Sequence, residues 1–319
     1  MPSFPSLRLM STVLISLFAV GHEFAQAADW PTYRGNNGRT AASSEDIGVP
    51  LRAAWKYESP APPEMAWSSG EGREIEGKQL GHRVKFDDVF HPVVVGGKLF
   101  FGATDDQLHC VDVATGATEW TFFAGAPIRL APTVTNGRAY FGSDDGHVYC
   151  VDAASGKLHW QFRGGPEEDW LLARGEMISR WPVRTGVLVD DGVAFFGAGI
   201  FPHEDVYLYA VNADDGSVIW KQDNLSAGDA GRNEISPQGY LLASDELLFV
   251  PSGRTLPAAF DRETGKLVHK RTHSWRSTAG GVVGGTKALL ADGQLYSGGP
   301  HHLLAMTQDK GDVGFGWFA

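Results

Sequence analysis

The sequence predicts an all-β protein, a β-propeller whose blades are four-stranded antiparallel sheets. The first observation is an internal repeat, because one eleven-residue pattern recurs along most of the chain. The second is the turn chemistry, since Asn-Gly and Asp-Gly pairs separate short β-rich runs. Repeats of this kind indicate an array of small units in which each unit packs against its neighbours.

The repeated pattern begins with a small residue, has glycine six positions later and ends four positions after that glycine, where tryptophan is preferred. The small residue is in turn Cys110, Cys150, Ala210, Ala259 and, in a degenerate fifth copy, Ala305. The glycine is Gly116, Gly156, Gly216, Gly265 and Gly311. The last position holds Trp120, Trp160, Trp220, His269 and Phe315. We expect the three tryptophans to be structural core residues, because burying an indole removes a large apolar area from water.

Each copy of the pattern closes a unit of four short strands. In the second unit, Asn136-Gly137 and Asp145-Gly146 supply the positive φ angles that two-residue hairpins need. A third turn, 152–156, leads into the strand that ends at Trp160. Applied along the chain, this plan predicts blade-like units at 86–122, 129–162, 182–222, 237–270 and 280–316.

The pattern resembles the tryptophan-docking motif of the pyrroloquinoline-quinone (PQQ) repeat propellers, and the resemblance covers most of the chain from Asp29 onward. It implies that each tryptophan packs against the small residue and the glycine of a neighbouring blade. The family includes quinoprotein dehydrogenases and cofactor-free extracytoplasmic scaffolds. The resemblance therefore predicts the architecture and leaves the activity open, because one fold hosts several functions.

Ahead of the repeats, which we assign to 86–319, lies an N-terminal extension, 28–85. Its segment 29–40 resembles the mature N-terminal signature of many PQQ-repeat proteins, and 51–57 is predicted to be an outer strand that closes the last blade. Residues 58–85 are predicted to form a long loop. Quinoprotein-type propellers usually have eight blades, whereas this chain has about five or six recognisable ones. A smaller ring, a fragment and an open-edged array all stay open.

Residues 1–27 have the pattern of a secretory signal peptide. Arg8 precedes a short apolar run, and Ala25-Gln26-Ala27 is a small-x-small cleavage site. We expect a periplasmic or secreted protein without a membrane span after cleavage, and without a lipid anchor, since no cysteine lies near that site. The formal net charge of −11 argues against nucleic acid as a partner, because phosphate backbones attract basic surfaces.

The chain has two cysteines, Cys110 and Cys150. Both occupy the small-residue position of the repeat, so they belong to equivalent places on adjacent sheets. Packed sheets lie about 10 Å apart, whereas a disulfide needs Cα atoms within about 7 Å. We therefore predict two buried free thiols that act as small apolar residues.

The segment between the second and third units, 163–181, is longer than an ordinary blade linker. Its stretch 169–179 is predicted to form a short helix. Arginine beside tryptophan favours stacking and anion binding. The candidate ligand-binding residues in and after this segment are Arg174, Arg180, Trp181, Arg184 and Arg254. The alternative is that the segment is a structural cover over a blade edge.

Catalytic residues are not predicted. The chain lacks the Cys-Cys pair of many quinoprotein dehydrogenases, the Cys-x-x-Cys-His of a haem site and the Gly-x-Ser-x-Gly of a hydrolase. No metal site is predicted, because the four Asp-Asp pairs fall at hairpin turns, where Asp is favoured for backbone reasons. These pairs are Asp105-Asp106, Asp144-Asp145, Asp190-Asp191 and Asp214-Asp215.

The function that these observations favour is a non-catalytic binding or scaffold module. The propeller face and the 163–184 insertion would bind a protein or small-molecule partner, since rigid scaffolds present specificity on loops. No cofactor is expected. The alternative is a PQQ- and calcium-dependent alcohol or sugar dehydrogenase, or a degenerate remnant of one, in which the candidate arginines meet the carboxylates of PQQ.

Overall fold

The computed structural model describes residues 28–46, 48–60, 62–66, 74–75, 78–79, 87, 89–173, 175–223, 225, 234–253, 255–271, 287–299 and 302–318. Within these residues the chain is all-β, with five four-stranded antiparallel sheets whose strands follow one another in chain order. These are the five predicted blades, and the β-propeller class is confirmed. The signal-peptide prediction for 1–27 lies outside the described residues.

The strands of the first three blades repeat the same plan of a short inner strand, two longer ones and an outer strand. Blade 1 consists of Val93–Val95, Lys98–Gly102, Gln107–Asp112 and Thr118–Phe123. Blade 2 consists of Thr133–Thr135, Arg138–Gly142, His147–Asp152 and Leu158–Arg163. Blade 3 consists of Leu188–Asp190, Val193–Ala198, Tyr207–Asn212 and Val218–Gln222.

Two further blades and three two-stranded sheets complete the strands. Blade 4 consists of Leu242–Ala243, Leu247–Val250, Ala258–Asp261 and Leu267–His269. Blade 5 consists of Lys287–Ala291, Gln294–Gly299, His302–Thr307 and Val313–Phe318. The two-stranded sheets are Glu74–Ile75 with Lys78–Gln79, Trp170–Ala173 with Glu176–Ser179, and Thr185–Gly186 with Gly239–Tyr240. One 3-10 turn spans Pro202–Glu204.

The repeated motif joins each blade to the next. In every blade the small residue pairs across the sheet with the last residue of the pattern, as Cys150 does with Trp160. In blades 1 to 4 that aromatic side chain then lies against the motif glycine of the following blade. A Cβ added to Gly156 would lie 2.6 Å from Trp120, so an alanine there would clash with the indole. The same relation holds for Trp160 on Gly216, Trp220 on Gly265 and His269 on Gly311.

The prediction of two free thiols is confirmed, because Cys110 and Cys150 are both buried and unpaired with each other. Each is fully shielded from solvent within the core between two blades. Burial raises the pKa of each thiol to about 11. Both side chains are therefore protonated, small and apolar, as the indole opposite requires.

Blades 1 and 5 differ in how their outward-facing apolar side chains are covered. At blade 1 the free face carries Phe101, and the extension covers that face with Trp55 and Tyr57. At blade 5 the docking residue Phe315 is 60% exposed, although it pairs with Ala305 in the usual register. Its equivalents Trp160 and Trp220 are each 9% exposed. Within the described residues, the docking side chain of blade 5 is therefore not packed as its equivalents are.

Segment 51–57 takes the docking role expected of an outer strand without being one. Trp55 lies against Gly116 of blade 1 and donates its indole N–H to the carbonyl of Val113 at 2.7 Å. The segment has no strand assignment and pairs with no strand among the described residues. Blade 5 takes all four of its strands from 287–318. Ring closure through 51–57 thus stays a prediction.

The expectation of a short helix over 169–179 is wrong, because the segment forms an antiparallel hairpin. We call the strands Trp170–Ala173 and Glu176–Ser179 the face hairpin. At its tip Gly175 has φ +90°, a conformation that ends a helix and that glycine adopts without strain. The side chains of the first strand alternate between exposed and half-buried, as in a sheet with one side facing solvent.

Residues 30–41, which we call the N-terminal strap, run across the innermost strands of all five blades. Backbone and Asn side-chain hydrogen bonds make these connections. In blade order they join Trp30 to Val94, Pro31 to Val134, Asn37 to Val189, Asn37 to Ala243, and Gly38 to Leu290. The strap therefore lies where the inner strands meet and ties blades together that are distant in sequence.

Arg39 anchors the strap in the protein interior. It is 1% exposed, its Nε donates to the carbonyl of Leu241 at 2.9 Å, and its Nη1 donates to Thr32 Oγ1 at 2.6 Å. Burial lowers the pKa of Arg39 to about 10. Next to it, the ring of Tyr33 stacks on Tyr240 with a centroid separation of 3.6 Å. The strap thus fills the region between the inner strands with its own side chains.

Candidate functional site

The candidate residues Arg180 and Trp181 lie together at the base of the face hairpin. The indole is 6% exposed and donates its N–H to the carbonyl of Glu204 at 2.6 Å. Arg180 lies over that ring, 6.0 Å from its centroid, and pairs with Asp169 at 2.8 Å and Glu204 at 2.9 Å. These carboxylates raise the pKa of Arg180. Arg180 and Trp181 therefore fix the insertion to the edge of blade 3 through Glu204.

Arg184 lies elsewhere, inside the protein. It is 2% exposed and holds Asp144 with two hydrogen bonds, Nε to Oδ1 at 2.8 Å and Nη2 to Oδ2 at 3.0 Å. Arg129 donates its Nε to the same carboxylate at 2.5 Å. Burial opposes ionisation of Asp144, but the two guanidinium groups outweigh it and hold the pKa of the carboxyl below its ordinary value. The carboxylates that pair with Arg180, Asp169 and Glu204, are different from the one that Arg184 holds.

Asp87 extends this cluster towards the N-terminal extension. Its carboxylate lies 3.5 Å from Arg129 and accepts a hydrogen bond from the backbone of Ala66 at 2.7 Å. Arg129 also donates to the carbonyl of Glu64 at 2.6 Å. Burial raises the pKa of Asp87 despite these donors. Residues 64–66 therefore cover what we call the buried ion network, Asp87, Arg129, Asp144 and Arg184.

The Asp-Asp pairs are predicted from the sequence to be turn residues. Their positions agree with this, but some of these aspartates also form buried hydrogen bonds and ion pairs. Asp144 and Asp145 follow a strand of blade 2, yet they are 1% and 5% exposed. Asp145 accepts hydrogen bonds from Tyr149 Oη at 2.6 Å and from the backbone of Gly125 at 2.8 Å. By contrast, Asp214 is exposed at a turn and pairs with Arg138 at 2.7 Å. The sequence pattern does not distinguish the two situations.

Negative charge collects beside the face hairpin. Burial together with the carboxylates of Glu176, Asp105 and Asp145 raises the pKa of Asp106 to about 6. Asp106 Oδ1 is shielded from solvent and has no hydrogen-bond partner among the described residues. Glu176 belongs to the second strand of the hairpin, so the turn of blade 1 and the hairpin share one acidic region.

Two of the five candidate residues, Arg174 and Arg254, lie outside the described residues. Of the others, the structure brings Arg180 and Trp181 together and separates Arg184 from them. Sequence reasoning missed Asp144, Arg129 and Asp87, because only the fold shows which carboxylates are buried.

In the described part of the chain no group of three or more His, Cys, Asp or Glu side chains is arranged to hold a metal ion. No described helix is long and apolar enough to cross a membrane.

The fold and the docking register define this protein as a PQQ-repeat propeller. The sequence model of the family described as outer membrane protein assembly factor BamB matches residues 55–200 and 202–314. That match covers most of the chain, so the chain belongs to this family. No curated protein matches its sequence.

Solved structures share the fold at low sequence identity. A europium-containing methanol dehydrogenase is 14% identical with a TM-score of 0.63 over 90% of this chain and 57% of that one. The quinohemoprotein alcohol dehydrogenase from Comamonas testosteroni is 16% identical with a TM-score of 0.62 over 91% and 49%. The chain therefore spans about half the length of these enzymes. At this identity the likeness extends to the fold alone.

Proposed function

We propose that the protein is an exported, non-catalytic binding or scaffold module for a protein partner. The observation that carries the proposal is the engagement of Arg184. Both carboxylate oxygens of Asp144 occupy its guanidinium group, and the pair is buried. A carboxylate ligand such as PQQ would have to compete with Asp144 for Arg184, and Asp144 would then keep only Arg129 of its two described guanidinium partners. Weakening a buried ion pair in this way is costly.

The other candidate residues support the same proposal. The ring of Trp181 packs against Gly165 and belongs to the core between blades 2 and 3, so its faces are not available for stacking on a quinone. Calcium takes about six to eight oxygen ligands, whereas Asp144 and Asp145 already accept hydrogen bonds from arginine, tyrosine and backbone groups. These residues therefore do not fit a PQQ–calcium group.

The features that remain accessible suit protein binding. The face hairpin projects exposed apolar residues, while its base is held by Arg180 and Trp181. A rigid propeller that presents such an insertion resembles binding proteins whose loops carry the specificity. Export is part of the proposal through the N-terminal pattern of 1–27.

Thermal unfolding of the protein with PQQ and Ca²⁺ together tests the proposal. A ligand that binds only the native state raises the melting temperature, and we expect no rise. PQQ alone and Ca²⁺ alone are the matched controls. A rise that requires both, accompanied by dye-linked oxidation of an alcohol, would instead establish the dehydrogenase alternative.

A further inference from the structure

One side of the face hairpin carries three exposed apolar residues beyond its buried base at Ser179. Trp170, Leu172 and Met177 are 41%, 71% and 52% exposed. Leu172 pairs directly with Met177, and Trp170 is two residues before Leu172 on the same strand. Directly paired residues and alternate residues of a strand share a side of the sheet. The three side chains therefore form one apolar stripe.

The opposite side of the hairpin is anchored, so the stripe is held in place. Ile178, paired with Leu171, is 3% exposed. The backbone of Ser179 donates to the carbonyl of Asp144 at 2.8 Å, which ties the hairpin to the buried ion network. A two-stranded sheet with an apolar stripe on its outer side is marginal in water unless something covers it. A partner would gain apolar burial without having to order the hairpin first.

The outer edge of the first strand, Trp170–Ala173, is also available, because the described backbone hydrogen bond to blade 2 comes from Ser179 of the second strand. The two strands of the hairpin pair with each other and with no further strand in the part of the chain that the structure describes. An extended segment can therefore add to the edge through backbone hydrogen bonds, with alternate side chains directed onto the stripe. This favours an extended protein segment over a small molecule, which has no use for a strand edge.

The acidic residues around the hairpin select the partner's composition. Glu176 pairs with Ala173 and therefore lies on the side of the sheet opposite to the stripe, where the alternate side chains of an added strand would point. Burial, and then the nearby Glu176 carboxylate, raise the pKa of Asp106 to about 6. Glu167 and Glu168 are exposed just before the hairpin. The basic residue Arg180 is already paired with Asp169 and Glu204. A lysine or arginine from the partner would be attracted to these carboxylates and would offset their mutual repulsion.

Resting on the proposed binding role, we infer that the face hairpin docks an extended protein segment of alternating apolar and basic residues. Its apolar side chains cover Trp170, Leu172 and Met177. A basic side chain on the opposite side of the added strand pairs with the exposed Glu176, whose carboxylate acts on Asp106. The same acidic residues disfavour an anionic membrane surface as the occupant.

The probe is a short fluorescent peptide of alternating valine and lysine, titrated with the protein at physiological salt and followed by anisotropy. The wild-type protein should bind it, and the double variant Leu172→Ser with Met177→Ser should bind at least about tenfold more weakly, as expected for the centre of an interface. The matched control, Val218→Ser with Leu267→Ser, removes apolar residues that are 50% and 48% exposed on other blades. This control should bind like the wild type.

A second comparison tests the charges. Glu176→Gln with Asp106→Asn should weaken lysine-peptide binding and flatten its salt dependence, and a valine–glutamate peptide should not bind. Equal binding by both double-serine variants, or equal binding of the two peptides, would overturn the inference. So would phosphatidylglycerol vesicle binding that depends on Leu172 and Met177. If the peptide does not bind and PQQ with Ca²⁺ does not raise the melting temperature, the docking site is refuted but the proposed function is not. The proposed function is tested separately by the melting experiment.

Discussion

His269 packs on Gly311 as Trp220 packs on Gly265, one blade earlier. The indole of Trp220 donates to the carbonyl of Arg262 at 2.9 Å, and His269 Nε2 lies 2.8 Å from the carbonyl of Gln308. Because a carbonyl only accepts, the proton of the neutral imidazole is on Nε2. Histidine thus reproduces the flat ring and the single donor of tryptophan, and adds a group that titrates.

We predict that protonation of His269 loosens the contact between blades 4 and 5. Burial, and then the nearby Arg271, lower the pKa of His269 below the ordinary value of 6.5. A depressed histidine pKa means that the unfolded chain binds the proton first, so stability is complete above about pH 6.5. It is lost as the pH falls from there to the lowered pKa of the folded state.

His269→Trp separates this effect from other titrations. The free energy of unfolding, measured by denaturant titration, should rise in the variant, and the gain should be larger at about pH 5 than at about pH 8. The Asp309 and Asp312 carboxylates near the ring are retained in both proteins and so cancel in the comparison. A gain that is the same at both pH values would contradict the prediction.

The aromatic residue at the docking position should contribute very differently to the free energy of unfolding in different blades. Trp160→Ala should cost about 3–5 kcal/mol, because it leaves a cavity between blades 2 and 3. Phe315→Ala, at the equivalent position of blade 5, should cost less than about 1 kcal/mol, because its side chain is 60% exposed. Chemical denaturation of both variants measures this, and similar losses would show that the blade 5 face is covered in solution.

Asp144→Asn tests the buried ion network. The substitution keeps the shape but leaves Arg129 and Arg184 without their shared anion, and we expect a loss of about 3–5 kcal/mol. Asp214→Asn is the control, since its ion pair with Arg138 is at the surface and should contribute about 0–1 kcal/mol. Equal thermal stability of the two variants would show that solvent reaches Asp144.

The cysteines should react only after unfolding. Burial raises the pKa of Cys110 and Cys150 to about 11, so native protein should show no thiol reaction at neutral pH. Both thiols should titrate in denaturant without a reducing agent. Fewer than two reactive thiols in the denatured protein would mean that some of them are oxidised.

The candidate site was only partly predictable from sequence. Arg184 was identified for its charge, but its partner Asp144 is 40 positions earlier and looked like a turn residue. Trp181 was identified for its ring, which the structure buries against Gly165. Arg and Trp are chosen both by ligand sites and by protein interiors. Composition alone therefore cannot assign them to one or the other.

The sequence by itself determined the blades, their boundaries and the docking register, because turn chemistry and a local repeat are encoded within about 40 residues each. Tertiary structure alone decided what the shared positions do: which carboxylates are buried, where the strap crosses the inner strands, and that 169–179 is a hairpin with an exposed stripe. These depend on contacts between residues far apart in the chain, such as Arg39 with Leu241. A local pattern has no information about them.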